Sequence, residues 1–375
     1  MHVGVVTEVK PGERRVALTP AGAHELVAHG HDVLVQAGAG VGSGIADGDY
    51  AAAGARIVDA AATVWEHSEL LLKVKEPLED ERGHLHRDQA LFTYLHLAAD
   101  AALTDALVRS GTTAIGYETV TGGGDPSRPG LPLLAPMSEV AGRLATQAGA
   151  YFLQAPLGGP GILIGGAPGV QPARVVVIGG GVVGLQAARV AVGMGAEVTI
   201  LERSVPRLAW LEEFFDGRAR VLMSDALTLR DELRHADIVV GAVLIPGAAA
   251  PKLVTRDMLT DMRSRAVLVD VAIDQGGCAE TSTPTTHDDP TYVVDDVVHY
   301  CVGNMPGAVP VTSTRALTNA TLPYVLALAD HGVDGAVERL PGLAPGINVR
   351  GGEIVLAAVA EAHDRAADAG RPTVG

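Results

Sequence analysis

Residues 174–202, RVVVIGGGVVGLQAARVAVGMGAEVTILE, carry the densest chemical signal in the chain. Gly179, Gly181 and Gly184 give the spacing G-x-G-x-x-G directly after the β-branched run 175–178. After a strand, the first glycine of such a motif permits a tight turn. The second lets backbone approach a pyrophosphate, and the third lets the next helix pack close to the strand. A helix over 185–194 would then turn its first amides and the positive end of its dipole toward the phosphates. The following strand, 197–201, runs into Glu202. A carboxylate there accepts ribose hydroxyls and repels a 2′-phosphate, which favours NAD over NADP, while Arg203 and Arg207 close by work against that preference. The glycine spacing alone is weak. Strand, glycines, helix, strand and terminal acid in that order make dinucleotide binding the expectation.

Four further residues stand just past the ends of apolar, strand-like runs, where ligands bind in parallel α/β sheets. Arg15 lies in the loop after the first run, Lys75 ends LLLKVK, His96 ends LFTYLH and Asp274 ends VLVDVAID. Taken singly, each also fits a plainer role. Arg15 with Arg14 reads as a solvated loop pair, Lys75 with Glu76 as a surface ion pair, His96 as a core histidine, and Asp274 as a cap or turn residue. Together they suit hydride transfer from a carbon bearing an amine or hydroxyl. Cations anchor a substrate carboxylate, histidine moves a proton near neutral pH, and a carboxylate steadies a cationic imine or orients attacking water. Zinc-type Cys/His spacing and a G-x-S-x-G elbow are absent.

The elements that must position these groups alternate between β and α. Strands are expected over 3–6, 32–36, 70–74, 90–95 and 113–117. Helices are expected after Thr19-Pro20 and over 49–53, 60–67 and 104–109. The Gly/Pro-rich segment 122–132 reads as a linker or exposed insertion. A helix over 137–153 leads into the glycine-turn region. Its β/α rhythm continues through helices at 205–215, 229–235 and 256–262 and strands at 219–223, 237–244, 267–273 and 292–294. Pro306 and Pro310 mark a crossing back, followed by a long helix over 313–329 and a tail with helical pieces. The expected architecture is α/β, with two doubly wound domains and a cleft between them. A Rossmann NAD-binding domain (133–306) is inserted into a flavodoxin-like substrate domain (1–132 and 307–375).

Composition narrows the partners. The chain has 375 residues, room for two cores. Its 28 basic against 44 acidic residues give a net charge of −16, which argues against nucleic acid or an anionic membrane. Two cysteines, Cys278 and Cys301, without ligand-like spacing fit a reducing cytoplasm. No apolar run approaches a bilayer span, and the N-terminus lacks the pattern of a secretory signal.

Several strings resemble the alanine dehydrogenase family, of the alanine dehydrogenase/pyridine nucleotide transhydrogenase N-terminal group. They are KPGERRVALTPAG, LLLKVKEPL, LFTYLHLAA, LPLLAPMSEVAGRLA, VVVIGGGVVG, GAVLIPGAAAPKLV, VLVDVAIDQGGC and YCVGNMPGAVPVTSTRALTNATLPYV. The likeness extends to about residue 332. It implies reversible oxidative deamination of L-alanine to pyruvate and ammonia with NAD, in a soluble homohexamer. The family's substrate arginine and lysine fall on Arg15 and Lys75, its catalytic histidine on His96, and its catalytic aspartate on Asp274 and not on Asp270. Cofactor contacts are implied at Ser138, Val182, Val183, Glu202, Arg207, Ser224, Val243 and Leu244. They continue at Val271, Ala272, Ile273 and Asp274, and at Val302, Gly303, Asn304 and Met305. The chain departs from the family in having Glu202 where aspartate is usual and QAPLGGPG (154–161) where R-T-Q-G-G-R is frequent. Ala327 stands in place of a glutamate that elsewhere pairs with the histidine at His331, so no bound metal is expected. The rival readings are another amino-acid or imino-acid dehydrogenase on the same scaffold, or a soluble transhydrogenase-like nucleotide-binding subunit. The second would need none of Lys75, His96 and Asp274.

Overall fold

The computed structural model describes residues 1–122, 130–243 and 250–364. Leu244 and most of the 122–130 insertion therefore lie outside the described residues. The chain forms two compact units, one from Met1–Met137 with the chain from Val309 onward, the other from Ser138–Ala308. The second is continuous in sequence, and the first is assembled from both ends.

The first unit begins with β1 (His2–Val5), β2 (Asp32–Gln36), β3 (Arg56–Val58), β4 (Leu70–Leu72), β5 (Ala90–Thr93) and β6 (Thr113–Gly116). The second contributes β7 (Arg174–Ile178), β8 (Glu197–Glu202), β9 (Arg220–Met223), β10 (Ile238–Gly241), β11 (Val267–Asp270), β12 (Thr291–Val294) and β13 (Val297–Tyr300). The returning chain adds β14 (Ile347–Arg350) and β15 (Glu353–Ile354) to the first sheet. The strand orders are β15-β14-β6-β5-β4-β1-β2-β3 and β12-β13-β11-β10-β7-β8-β9. Both sheets are parallel except where β14, β15 and β12 join antiparallel. Each is doubly wound, with its switch point between the first and fourth strands, β1/β4 and β7/β10. The first sheet thus has the 3-2-1-4-5-6 order of a dinucleotide fold, where the flavodoxin-like order would be 2-1-3-4-5.

The apolar runs are continuous because both faces of each parallel sheet are covered. In the second sheet Val175, Val177, Ile200, Ile238, Val240, Val267 and Val269 fill one core. Their neighbours Val176, Ile178, Leu201, Val239 and Leu268 fill the other. In the first sheet Leu34, Leu71, Leu91, Ala114 and Val349 share a core. Thr19 caps the helix Pro20–Ala28, its side chain accepting from the Gly22 amide.

Several elements differ from their sequence expectations. The strand expected over 267–273 stops at Asp270. That carboxylate accepts from the Ala272 amide at 3.1 Å and turns the chain into a 3₁₀ turn, Val271–Gln275. The long helix runs Pro310–Arg339 with a break at Gly332 (φ 66°), beyond the 313–329 expected. The tail contains a hairpin, β14–β15, turned by Gly351 and Gly352 at φ 62° and 93°, before a short helix Ala357–Ala362. Strands β3 and β13 are not among the elements expected from the sequence.

Ile200 is fully buried in the core beside Val177 and Leu211. Ile200→Ala is expected to lower unfolding stability by about 2–5 kcal/mol, read as a lower urea midpoint with the slope unchanged.

Candidate active site

The glycine turn closes the carboxyl end of β7. Gly179 has φ 99°, and a Cβ on it would stand 2.7 Å from the Ala242 carbonyl at the end of β10, across the switch point. A Cβ on Gly184 would lie 1.8 Å from the Gly179 carbonyl, so only glycine lets the helix Val182–Gly193 come this near the strand. A Cβ on Gly181 would meet nothing within 4 Å. That helix begins with no side chain capping its amides, so its first N–H groups suit a pyrophosphate. These features fit a dinucleotide.

The other proposed cofactor contacts gather at the same sheet edge. Glu202, at the end of β8, accepts from the Gly180 amide at 2.8 Å through one oxygen and from the Arg203 and Ser204 amides at 2.7 and 2.9 Å through the other. Arg207 donates from Nε to the Gly180 carbonyl at 2.7 Å, and its guanidinium lies 4.2 Å from the centre of the Trp210 ring. Burial pushes the Arg207 pKa down, against the pull of Glu202. Ser224 follows β9, its amide donating to the Glu202 carbonyl at 2.9 Å, and Val243 follows β10. Val182 and Val183 open the helix after the turn. Ser138 lies in the first turn of the helix Ala135–Phe152, one turn from Gly142, where a Cβ would press on the Val183 carbonyl.

Past β11, Val271, Ala272, Ile273 and Asp274 form the 3₁₀ turn. Asp274 is exposed and accepts from the Asn304 amide at 3.2 and 3.4 Å, which joins it to the segment Val302, Gly303, Asn304 and Met305 after β13. Asp270 is buried and spends its oxygens on the Ala272, Cys278 and Ala279 amides and the Ser282 hydroxyl. Of the two carboxylates of this loop Asp274 is thus the exposed one, and Asp270 shapes the loop that carries it.

In the first unit, Arg15, Lys75 and His96 stand beyond the carboxyl ends of β1, β4 and β5. Arg15 is not a solvated loop residue. It is 2% exposed and forks onto Glu13, with Nε–Oε1 at 2.7 Å and Nη2–Oε2 at 2.5 Å, while Nη1 lies 2.9 Å from the Met137 sulfur. Burial works against its charge. The hydrogen bonds and charge of Glu13 outweigh burial and raise its pKa. Lys75 is half-buried. Its neighbour Glu76 pairs with Lys10. Burial works against the charge of the half-buried Glu76 carboxyl, but the charges of both lysines help to hold it below its usual range. Glu8 accepts from the Val74 amide at 2.6 Å and the Lys75 amide at 3.3 Å, and so holds the backbone that presents Lys75. Lys73, fully buried, bridges Glu8 and Glu81 at 3.2 and 2.8 Å. Burial disfavours its ammonium, but the two carboxylates hold its pKa above the usual value.

His96 is exposed and is not a core histidine. Its backbone is left-handed (φ 51°), a strained state for a non-glycine residue, and Glu118 pins it by accepting from the His96 amide at 2.7 Å and the Leu95 amide at 3.1 Å. The imidazole stacks on Tyr94, centroids 6.0 Å apart and planes 7° apart. Burial raises the Tyr94 pKa, Arg15 opposing, and its hydroxyl donates to the Leu133 carbonyl at 2.6 Å. Arg15, Tyr94 and His96 thus belong to one neighbourhood. Sequence reading missed Glu8, Glu13, Lys73, Glu81, Tyr94 and Glu118. The one available signal was Glu13, an acid two residues from Arg15.

The family described as "Alanine dehydrogenase/PNT, N-terminal domain" matches residues 4–141, and "Alanine dehydrogenase/PNT, C-terminal domain" matches residues 145–357. A protein of Halomonas elongata named alanine dehydrogenase is 59% identical over 96% of both chains. One of Mycolicibacterium smegmatis with the same name is 56% identical over 97% of both. A solved structure titled L-alanine dehydrogenase superposes with a TM-score of 0.92 at 50% identity, covering 97% of this chain and 99% of that one. With both halves matched by the family and relatives this similar along nearly its whole length, the chain belongs to the alanine dehydrogenase/PNT family.

Proposed function

We propose that this protein catalyses the NAD-dependent, reversible oxidative deamination of L-alanine to pyruvate and ammonia. The observation that carries the reading is near-full-length identity above one half to relatives named alanine dehydrogenase. Arg15, Lys75, His96 and Asp274 at strand ends supply the groups this reaction needs.

When bound, NAD accepts the hydride that leaves Cα of alanine. Arg15 and Lys75 hold the substrate carboxylate, the guanidinium from an orientation fixed by Glu13. The substrate ammonium first gives a proton to solvent, so that loss of the hydride from the neutral amine leaves a cationic imine, which the Asp274 carboxylate stabilises. Water adds to the imine carbon, and His96 takes its proton. His96 returns that proton to the nitrogen and takes the hydroxyl proton as the carbon–nitrogen bond breaks, releasing ammonia and pyruvate. The Gly179–Gly184 turn and the bare amides after it hold the pyrophosphate, and Glu202 meets the adenosine ribose. The negative charge of Glu202, seated on three backbone amides, disfavours a 2′-phosphate. The functional enzyme is a homohexamer of the cytoplasm. Both cysteines are buried and unbridged, which suits a reducing compartment, and among the described residues no helix is long and apolar enough to cross a membrane.

Purified protein mixed with ammonia, a panel of 2-oxo acids and either NADH or NADPH should consume NADH with pyruvate in strong preference. Faster turnover of a longer oxo acid, or equal use of NADPH, would overturn the assignment. His96→Ala should slow deamination by about 10²–10⁴-fold. A rate within a few-fold of the parent removes the acid–base role. Arg15→Lys keeps a charge but loses the fork, and should raise the KM for pyruvate far more than it lowers kcat. An unchanged KM takes Arg15 out of the carboxylate site.

A further inference from the structure

The helix Val205–Phe215 follows β8 directly, and its two faces do different work. Leu211 and Phe215 are buried in the core. Arg207, Trp210 and Phe214, at i, i+3 and i+7, form a stripe along another face. The rings of Trp210 and Phe214 stack with centroids 5.0 Å apart and planes 17° apart, and the Arg207 guanidinium caps the stack 4.2 Å from the Trp210 centroid. Trp210 is 37% exposed, so core packing does not account for it. The guanidinium is fixed at its other end as well, Nε donating to the carbonyl of Gly180 inside the glycine turn. The amide of the same glycine donates to Glu202. An acid that meets the ribose, a turn that meets the pyrophosphate and a planar cation immobilised on an indole therefore converge on one point.

In a doubly wound fold this point, past the second strand of the sheet, receives the adenosine half of a dinucleotide. Adenine stacks well on a guanidinium plane, and better when the plane cannot turn. We propose that Trp210 is a positioning residue for the adenine end of the cofactor. It holds Arg207 flat by a cation–π contact, and the adenine lies on the other face of the guanidinium. The proposal rests on the NAD reading above and deepens it.

The test is calorimetric titration of the parent, Trp210→Leu and Trp210→Phe with ADP-ribose, NADH and reduced nicotinamide mononucleotide. Trp210→Leu should weaken ADP-ribose and NADH by about 3- to 10-fold, and Trp210→Phe, which keeps an aromatic face, by less. The mononucleotide, lacking adenosine, should bind all three proteins alike. In an Arg207→Leu background, Trp210→Leu should add nothing, because the indole acts through the guanidinium. ADP-ribose affinity within twofold of the parent in Trp210→Leu overturns the proposal, as does an equal loss of mononucleotide affinity or a further additive loss in the double variant. If the parent binds neither NADH nor ADP-ribose, the NAD reading has failed and this one with it. If the parent binds both and the variants bind as well, only this one falls.

Discussion

A guanidinium stays inside a protein only when its charge is answered there. Arg15 is answered by Glu13, and the pair belongs to a set of five ionisable side chains, each under a tenth exposed: Glu8, Glu13, Arg15, Lys73 and Glu81. Such a set adds little to stability, because removing each ion from water costs several kcal/mol that its partners only roughly offset. What it gives is fixed geometry. The fork between Arg15 and Glu13 sets the plane of the guanidinium. The Glu8 carboxylate, steadied by Lys73, holds the two amides that carry the chain into Lys75. The cations proposed to grip a carboxylate are therefore placed by carboxylates already present, and the proposed substrate site needs no substrate to organise it.

Both halves of the molecule obey one positional rule with different chemistry. Each sheet reverses winding between its first and fourth strands, and in each the loop after the first strand carries residues proposed above to meet a ligand. After β7 that loop is nearly bare of side chains, so backbone amides remain to meet phosphates. After β1 it is crowded with acids and bases. The common winding supplies a place for a ligand, and the side chains or their absence decide which ligand.

The glycine turn was legible because each of its requirements is local. Gly179, Gly181 and Gly184 lie within six residues, and the flanking runs are continuous because both sheet faces are buried. The strand-end positions of Arg15, Lys75, His96 and Asp274 were legible for the same reason. Their partners were not. Glu118 fixes the His96 turn from the end of the neighbouring strand, and nothing near residue 96 announces it. LLLKVK does not say which lysine is buried, since that depends on Glu8 and Glu81 arriving from elsewhere in the chain. Similarly, 267–273 reads as one apolar strand, and only the Asp270 side chain, turned back on the Ala272 amide, ends it early. The tail reads as helical pieces and its hairpin is missed, because the two flanking strands span four and two residues, too short for alternation to show.

The return of the chain to its first sheet has a consequence for biosynthesis. Strands β14 and β15 leave the ribosome after the whole of Ser138–Ala308, which is continuous and can close on itself as it emerges. Until residue 347 is made, β6 keeps an open edge whose amides and carbonyls await β14, and such an edge is a template for the wrong strand as well as the right one. The half of the molecule that is begun first is thus the half completed last.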